Sequence, residues 1–505
     1  MVRRVLFFLL GLLLFAAGSQ AHIGSPDIYF DGKAGPYQLF VTIRPPTVIP
    51  GVAELEVRST TSGIASIHAV PLPLSGPGAK FAPVPDKLAV AADDRQLFRG
   101  SLWMMAPGSW QVRVSVDGQA GPGSISIPVP SAALATRRMQ VGLGAILSCL
   151  GLFLVGGLVA MVGASVREGR LGPGALPNPG RVRAGRIAMA VALVIVLISA
   201  WMGNHWWNVE AASYGQDVYK PLHMGATLTG ANLLSLTLTD PGWLDKPGWH
   251  PLFTRSVDDF IPDHGHLMHL YIIRKPDLDV IYHLHPDLSD PGVFTLSLPS
   301  MPSGSYKLYA DVVHANGFPE TLASNLRIPV GVNGRKLSGD DAMAIGSSWR
   351  KAAADSREFT LPDGYRMEWL PVPGGLHARK PVQFRFRLTR SDGATPPDMA
   401  FYMGMLGHAA FVKTDSTVFA HIHPTGSVSM AAFMLAQNQT AKDKNSEMPG
   451  MQMEGMQHEA IPNSAALPNE VSFPYGFPSS GHYRIFVQMK HGQTVETGMF
   501  DADVT

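Results

Sequence analysis

The stretch Asp263–Pro286, DHGHLMHLYIIRKPDLDVIYHLHP, decides how the rest of the chain is interpreted. It contains five of the eighteen histidines, set in two apolar runs that alternate as β-strands do. A second copy, GHAAFVKTDSTVFAHIHP, follows at Gly407–Pro424, and both copies close on His-x-His-Pro. Because two separate stretches keep histidines on the same β-pattern, the sequence predicts a metal-binding β-domain present in duplicate.

The spacing in the first copy predicts which histidines converge. Residues two apart in a strand point to the same side, so His283 and His285 share a face. A turn centred near Asp277 would set His269 opposite His285, with Cβ atoms about 5 Å apart. His314, at the end of a later strand, could add a fourth nitrogen. These four residues are the predicted metal ligands of the first copy.

The second copy predicts an equivalent set. His421 and His423 share a face, and a turn at Asp415–Ser416 would set His408 opposite His423. The closing strands GSYKLYADVVH and GHYRIFVQMKH align without gaps, which pairs His491 with His314. His264 and His266 have no counterpart in the second copy, so they are supplementary candidates only. A buried hydrogen-bond network or a solvated rim is the alternative explanation of all these histidines.

Two further features favour copper among the metals that imidazole suits, which are copper(II), zinc and nickel. A polar insert at residues 437–465 carries soft thioether and imidazole ligands typical of copper(I) sites, at Met448, Met451, Met453, Met456 and His458. A disordered low-complexity insert explains it equally and is compatible with binding. If a signal peptide ends at Ala21, the new amino-terminal His22 could hold copper through its amine and ring, with His68 as second ligand.

Composition bounds the remaining possibilities. The 505 residues carry 40 basic and 39 acidic side chains, so nothing indicates a nucleic-acid partner. Cys149 is the single cysteine, which excludes an intramolecular disulfide, an iron–sulfur cluster and a cysteine-ligated blue-copper centre outside the membrane. The 41 prolines, 52 glycines and many short alternating runs favour β-rich architecture.

The apolar segments predict an envelope protein anchored in the inner membrane. Residues 1–21 read as a secretory signal peptide, and residues 141–166 and 187–203 as transmembrane helices. The intervening residues 167–186 hold five arginines and one acidic residue, which predicts a cytoplasmic loop and places both flanking regions on the periplasmic side. The helix interiors carry no ionisable pair, so the helices are predicted to anchor and not to transport.

The predicted fold is mainly β, with three immunoglobulin-like or cupredoxin-like sandwiches and a two-helix transmembrane hairpin between the first and second. The sandwiches are assigned to residues 22–130, 204–333 and 355–505. The last two open with a strand pattern, continue with the histidine hairpin and close on a strand after Gly-x-Tyr. The first has a similar closing block, GSWQVRVSV, with tryptophan in place of tyrosine.

The outer domains resemble the YtkA-like and FixH-like extracytoplasmic β-sandwich domains and, more loosely, copper-resistance domains of the CopC type. The likeness covers about half of the chain and lies in the Gly-x-Tyr closing strands and in His269, His283-Leu-His285-Pro286, His408 and His421-Ile-His423-Pro424. The two-helix hairpin departs from the pattern of one anchor and one domain. The resemblance implies an envelope protein linked to metal handling.

Three function classes follow. The first is membrane-anchored copper handling, in resistance, delivery or sensing, with zinc as the alternative metal and other envelope metal-trafficking proteins as partners. The second is a structural or protein-interaction module in which the histidines are incidental. The third is a histidine-ligated metalloenzyme, in which an open coordination position activates water. We find no second base at a suitable spacing, so no catalytic residue is assigned.

Overall fold

The computed structural model describes residues 22–23, 27–74, 82–136, 139–172, 174–243, 255–332, 334–337, 339–351, 357–447 and 466–505. The predicted signal peptide at residues 1–21 lies outside this part. The described residues form two compact units, one of residues 133–219 and one of the rest of the chain. Each unit is therefore considered by itself.

The described residues begin with a two-residue strand, β1 (His22–Ile23), which pairs with a strand of the third sandwich, and the first sandwich follows it. Its strands are β2 (Ile28–Ala34), β3 (Tyr37–Arg44), β4 (Gly51–Ser59), β5 (Ile64–Pro73), β6 (Asp86–Lys87), β7 (Ala89–Val90), β8 (Leu97–Met104), β9 (Gly108–Gly118) and β10 (Gly123–Ser131). They form two antiparallel sheets, in the orders β2-β3-β4-β8-β7 and β10-β9-β5-β6. The alternate apolar residues of β3 and β9 are buried, as the period of two predicts.

Two long helices make up the second unit, α1 (Val141–Glu168) and α2 (Pro179–Gln216). Asn178 caps α2 by accepting a hydrogen bond from the Arg181 N–H at 2.9 Å, and Pro179 takes the first helical position, where its missing N–H is not needed. The helices approach at Gly163 and Gly185, where an added Cβ would crowd the opposite helix.

Both helices are long and apolar enough to cross a membrane. Their most apolar stretches are not buried by the rest of the protein, which fits lipid contact and not a soluble core. The helix α2 is longer than the predicted span of residues 187–203 at both ends: it begins at Pro179, within the predicted loop, and continues past Trp206 and Trp207 to Gln216. The structure therefore supports membrane association.

The second sandwich begins after the helices. Its strands are β11 (His223–Thr229), β12 (Leu233–Thr239), β13 (His269–Lys275), β14 (Val280–Leu284), β15 (Asp287–Asp290), β16 (Val293–Ser297), β17 (Gly304–Val313), β18 (Pro319–Ile328) and β19 (Ala342–Ile345). One sheet has the order β11-β12-β16-β15, and the other, which carries the histidines, β18-β17-β13-β14-β19. Leu236, Phe294, Leu270 and Leu308 close the core between them.

The third sandwich repeats this plan. Its elements are β20 (Glu358–Thr360), β21 (Arg366–Trp369), β22 (Val382–Thr389), β23 (Met399–Ala400), β24 (His408–Lys413), β25 (Val418–Ile422), α3 (Met430–Glu447), β26 (Glu470–Tyr475), β27 (Gly481–His491) and β28 (Thr494–Val504). In the histidine-bearing sheet β24 pairs with β25 and β27, β27 with β28, and β1 adds a parallel edge strand to β25. The strands β20-β21-β22-β26 form the other sheet.

The first and third sandwiches are joined through β2. Tyr29 is fully buried in the core of the third sandwich, and its hydroxyl donates to the Gly476 carbonyl at 3.2 Å. The turn after His423 receives β2, where the Asp31 N–H donates to the Thr425 carbonyl at 2.9 Å and Ser427 bonds the Tyr29 backbone. The three sandwiches thus share buried contacts.

The predicted fold class is confirmed. The chain is mainly β, with several antiparallel sandwich sheets and two long apolar helices between the first β region and the later ones. The helix α3 was not predicted. It begins before the methionine-rich insert and packs Ala431, Ala432 and Ala436 against Leu74 and Val313 of the first and second sandwiches.

Substitution of Gly426 tests the junction between the first and third sandwiches. A Cβ at Gly426 would stand 1.8 Å from the Tyr29 carbonyl oxygen, and its φ of +127° disfavours any other residue. We expect Gly426→Ala to lower the free energy of unfolding by about 1–3 kcal/mol more than Gly393→Ala. Gly393 is the matched control because its φ is also positive, at +81°, while its Cβ would meet nothing within 4 Å. Equal losses in chemical denaturation of the two variants would contradict a close junction.

Candidate metal centre

The histidines lie where the second and third sandwiches pack face to face. Along β13, Leu270 and Ile272 enter the core of the second sandwich, whereas Tyr271 and Ile273 pack against the third. The same alternation along β24 sends Ala410 and Val412 into this interface. Since His269 has the parity of Tyr271 and His408 that of Ala410, both histidine hairpins point into the interface.

The strand registers predicted from the turns are confirmed. Leu270 pairs with Leu284, so His269 stands one step further along, opposite His285. Ala409 pairs with Ile422, which sets His408 opposite His423. The spacing within each hairpin therefore predicts the correct cross-strand neighbours.

What the spacing did not reveal is that the two copies share one site. Eight histidines form a single interface cluster, the histidine cluster, with rings in mutual contact: His264, His266, His269, His283, His285, His408, His421 and His423. The rings of His269 and His421, from different sandwiches, have centroids 5.6 Å apart. The expected pair of separate sites is instead one cluster with two parts.

The first part, the second-sandwich triad, consists of His269, His283 and His285. One ring nitrogen from each lies within 4.8 Å of the others. His269 Nδ1 is 3.2 Å from His283 Nε2, close to the separation of about 3.3 Å between two nitrogens on a tetrahedral ion with bonds of about 2.0 Å. These distances are suitable for one metal ion.

The remaining nitrogens of this triad fix its tautomers. His269 Nε2 lies 3.0 Å from the Asp263 carbonyl and His283 Nδ1 lies 2.9 Å from Gln488 Oε1, so each of these nitrogens donates. His285 Nδ1 is 3.5 Å from the Asp341 carboxylate. The facing nitrogens of His269 and His283 are then both lone pairs, which repel unless a cation lies between them.

The second part, the shared triad, consists of His264 from the second sandwich and His408 and His423 from the third. Their nitrogens also lie within 4.8 Å of one another. His264 Nδ1 donates to the Met403 carbonyl at 2.8 Å and His423 Nδ1 to the Val428 carbonyl at 3.0 Å. Both hydrogen bonds leave Nε2 as the lone-pair atom.

Two consecutive hydrogen bonds fix the tautomer of His408, and they also leave its Nε2 as the lone-pair atom. The Asp311 carboxylate accepts from His421 Nδ1 at 3.2 Å, and His421 Nε2 accepts from His408 Nδ1 at 3.0 Å. His408 Nε2 is therefore the free lone pair. Within the described part of the chain, four buried imidazole nitrogens have no hydrogen-bond partner: Nε2 of His264, His285, His408 and His423.

Burial keeps the imidazoles of the two hairpins neutral. It lowers the pKa of His269, His283, His408 and His421 well below the usual range, and neighbouring imidazoles lower these values further. Burial also lowers the pKa of His423, to about 3. Neutral imidazoles offer a metal ion their lone pairs at neutral pH with no proton to displace.

His314 and His491, predicted as fourth ligands, lie outside the cluster. The residue opposite His269 on β17 is Asp311, and His314 comes three residues later. Its Nδ1 is 2.5 Å from Asp259 and its Nε2 is 3.2 Å from Glu320, which also pairs with Arg255. Both ring nitrogens of the buried His314 therefore face carboxylates of an ion-pair network.

His491 occupies the equivalent position in the third sandwich, also outside the cluster. Its Nε2 is 3.3 Å from Glu496 and 3.5 Å from Asp363, and its ring stacks on Tyr365. Burial and the Asp363 carboxylate raise the pKa of Glu496 to about 7. Asp363, His491 and Glu496 could themselves hold an ion.

The remaining predicted ligands have no described place in the cluster. Met448, Met451, Met453, Met456 and His458 lie outside the described residues. The backbone of His22 pairs with Val418 at the edge of the third sandwich, whereas its proposed partner His68 lies on β5 of the first, 3.9 Å from Asp117. The two histidines are thus on different sheets.

The sequence did not predict several polar residues that contact the cluster histidines. Asp311, Asp341 and Gln488 orient imidazoles, and Tyr402 lies 3.2 Å from His283 Nδ1. Gln488 and Asp311 occupy equivalent positions, opposite His408 and His269 in their sheets. The repeat alignment already carried this signal, because it pairs the closing strands residue by residue.

Comparison with known proteins gives a match to one family model over part of the chain, and no activity. A family described as "Domain of unknown function (DUF8832)" matches residues 253–328 and 359–505, less than half of the chain but with all eight cluster histidines. That description does not name the YtkA-like, FixH-like or CopC-type domains. No curated protein sequence matches the chain.

Solved structures give only distant neighbours. A tetra-tandem repeat from the extending region of a large adhesion protein is 9% identical, with a TM-score of 0.16, and the match covers 91% of this chain and 71% of that one. A membrane-anchored protein from Corynebacterium diphtheriae is 9% identical, with a TM-score of 0.14, over 95% and 94% of the two chains. The TM-scores are too low to indicate a common fold.

Substitution of His314 separates an ion-pair role from a ligand role. Burial alone would lower the pKa of His314, but the hydrogen bonds to Asp259 and Glu320 outweigh it and raise the pKa. A raised folded-state pKa stabilises the fold below the unfolded value of about 6.5, and this contribution is lost as pH rises through the folded value.

We therefore expect His314→Gln, in metal-free protein, to lower the free energy of unfolding by about 3 kcal/mol below pH 6.5, with a smaller deficit at higher pH. Chemical denaturation across the pH range measures it, with the exposed His223→Gln as control. A pH-independent deficit, or a loss of bound metal, would show that His314 is not the charged member of an ion-pair network.

Proposed function

We propose that this protein binds metal ions, copper before zinc, in a buried histidine cluster between two extracytoplasmic β-sandwiches. The observation that carries the proposal is the set of four buried imidazole nitrogens without a hydrogen-bond partner in the described chain. A buried acceptor left unpaired costs about 1–3 kcal/mol, and four within one cluster would be a heavy penalty for a purely structural site. Coordination of a metal ion removes that penalty.

The orienting hydrogen bonds support the proposal. Metal-bound histidines usually donate their second N–H to a carbonyl or carboxylate, which fixes the ring and its tautomer. His264, His423 and His269 donate to backbone carbonyls, and Asp341 lies beside His285. Because Asp311 and Asp341 face the far nitrogens of imidazoles, they orient ligands and are not placed as catalytic bases. We therefore propose binding and not catalysis.

Methionines in the third sandwich and in its insert favour copper. In the turn before each hairpin, His264-Gly265-His266 of the second sandwich corresponds to Met403-Gly404-Met405 of the third, since His264 and Met403 share a φ near +50° and both turns close through the same pair of backbone hydrogen bonds. The insert adds four more methionines. Thioethers favour copper(I) over zinc.

The cellular setting follows from the sequence. Five arginines at residues 167–186, between the two predicted membrane spans, favour a cytoplasmic location for this segment, which would place the sandwiches outside the inner membrane, where copper resistance, delivery or sensing takes place. The resemblance to YtkA-like, FixH-like and CopC-type domains agrees with such a role. Other envelope metal-trafficking proteins are the proposed partners.

Metal titration of the full chain in lipid nanodiscs tests the proposal. We expect tight stoichiometric binding of copper(II), and a weakening on the order of 100-fold or more in His285→Ala/His423→Ala, which removes one free nitrogen from each triad. The matched control His223→Ala/His377→Ala removes two exposed histidines and should bind as the parent does. A parent chain that binds neither copper nor zinc tightly would leave the structural module as the better explanation.

Replacement of the four insert methionines tests the choice of metal. Leucine at Met448, Met451, Met453 and Met456 keeps the apolar volume and removes the thioethers. Since soft ligands select copper(I), we expect weaker copper(I) retention against a competing chelator, with copper(II) and zinc binding unchanged. Leucine at Met139 and Met161 provides the control. Unchanged copper(I) retention would show that the insert methionines do not bind copper(I).

A further inference from the structure

We infer that the histidine cluster holds two metal ions, and that one of them is coordinated by both sandwiches at once. This inference rests on the proposed function and specifies the number and placement of the ions. The second-sandwich triad and the shared triad have no residue in common, and each brings three ring nitrogens within 4.8 Å of one another. Three imidazoles with an open position are a complete protein ligand set for one ion.

Different residues orient the imidazoles of the two triads. In the second-sandwich triad, the nitrogens that do not face the ion bond Asp263, Gln488 and Asp341. In the shared triad they bond Met403, Val428 and His421. Because the two sets of orienting partners are disjoint, either triad can be complete when the other is altered.

The triads also adjoin each other. His264 of the shared triad and His269 of the second-sandwich triad have ring centroids 6.0 Å apart, and His421 lies 5.8 Å from His283, centroid to centroid. These ring contacts join the two triads into one cluster. The two ions that we infer therefore occupy adjacent triads and not remote sites.

The charge around the cluster favours cations. Four carboxylates border the cluster: Asp341 beside His285, Asp311 beside His421, Asp340 beside His266, and the buried Asp263 before His264. Two basic side chains accompany them, Arg335 on Asp341 and Lys490 on Asp340. The carboxylates therefore outnumber the basic side chains, and this excess of negative charge favours the binding of cations in the cluster.

The shared triad couples the sandwiches. His264 comes from a turn of the second sandwich with a φ of +50°, whereas His408 and His423 lie at the strand ends of the third. Ligand bonds to both sandwiches exist only while the interface is closed. An ion in the shared triad thus stabilises the closed interface by the free energy of its binding.

Zinc stoichiometry of the full chain in nanodiscs tests this inference, because zinc has no redox chemistry to complicate loading. Zinc is measured by elemental analysis relative to a variant in which His264, His269, His285 and His423 are all alanine, which subtracts other sites such as that at His491. We expect two ions for the parent and one each for His264→Ala/His423→Ala and His269→Ala/His285→Ala. The exposed pair His223→Ala/His377→Ala should retain two.

The outcomes are distinguishable. One ion in the parent that either alanine pair abolishes would overturn the binuclear centre while keeping the proposed function. No difference from the four-alanine variant, with zinc and again with copper(II), would overturn both. Glutamine in place of alanine repeats the experiment if an alanine pair fails to fold. Zinc should also raise the melting temperature of the His269→Ala/His285→Ala variant, which keeps the shared triad, and no rise would contradict coordination by both sandwiches.

Discussion

The face-to-face burial of two sheets is the constraint on which the centre depends. A sandwich strand ordinarily has one face in the core and one in water, but β13, β14, β24 and β25 are buried on both. Tyr271, Tyr309 and Phe419 form the apolar part of this interface, with the rings of Tyr309 and Phe419 stacked at 4.2 Å. Hydrophobic burial of these rings closes the interface and thereby removes the neighbouring imidazoles from water.

The interface is also nearly symmetric. His283 of the second sandwich bonds Gln488 of the third, and His421 of the third bonds Asp311 of the second, although Gln488 and Asp311 are equivalent positions. The pair His269–His283 likewise matches His408–His421, with nitrogen separations of 3.2 and 3.0 Å. Such reciprocity is what two related domains produce when they pack through the same surface, as in an isologous dimer.

The sequence predicted the local geometry well and the assembly poorly. The turn positions gave the registers that set His269 opposite His285, because a period of two and a turn centre together determine a hairpin. They could not show what the outer face would meet, since a period of two says which residues share a face and nothing of what covers it. The sequence therefore predicts a complete site in each copy, with His314 as a ligand of the first. In the structure the residue opposite His269 on β17 is Asp311.

The sequence repeat also undervalues His264, which belongs to the shared triad. It lacks a histidine counterpart, and the comparison of repeats discounts whatever the copies do not share. At an interface between diverged copies, the positions at which the copies differ can also be ligands. His264 lies beside His408 and His423 of the third sandwich, whereas its equivalent in that sandwich is Met403. Similarly, a carboxylate orients His421 and, through it, His408, whereas an amide orients His283. A carboxylate makes an imidazole more basic than an amide does, so divergence at these equivalent positions gives His421 and His283 unequal basicity.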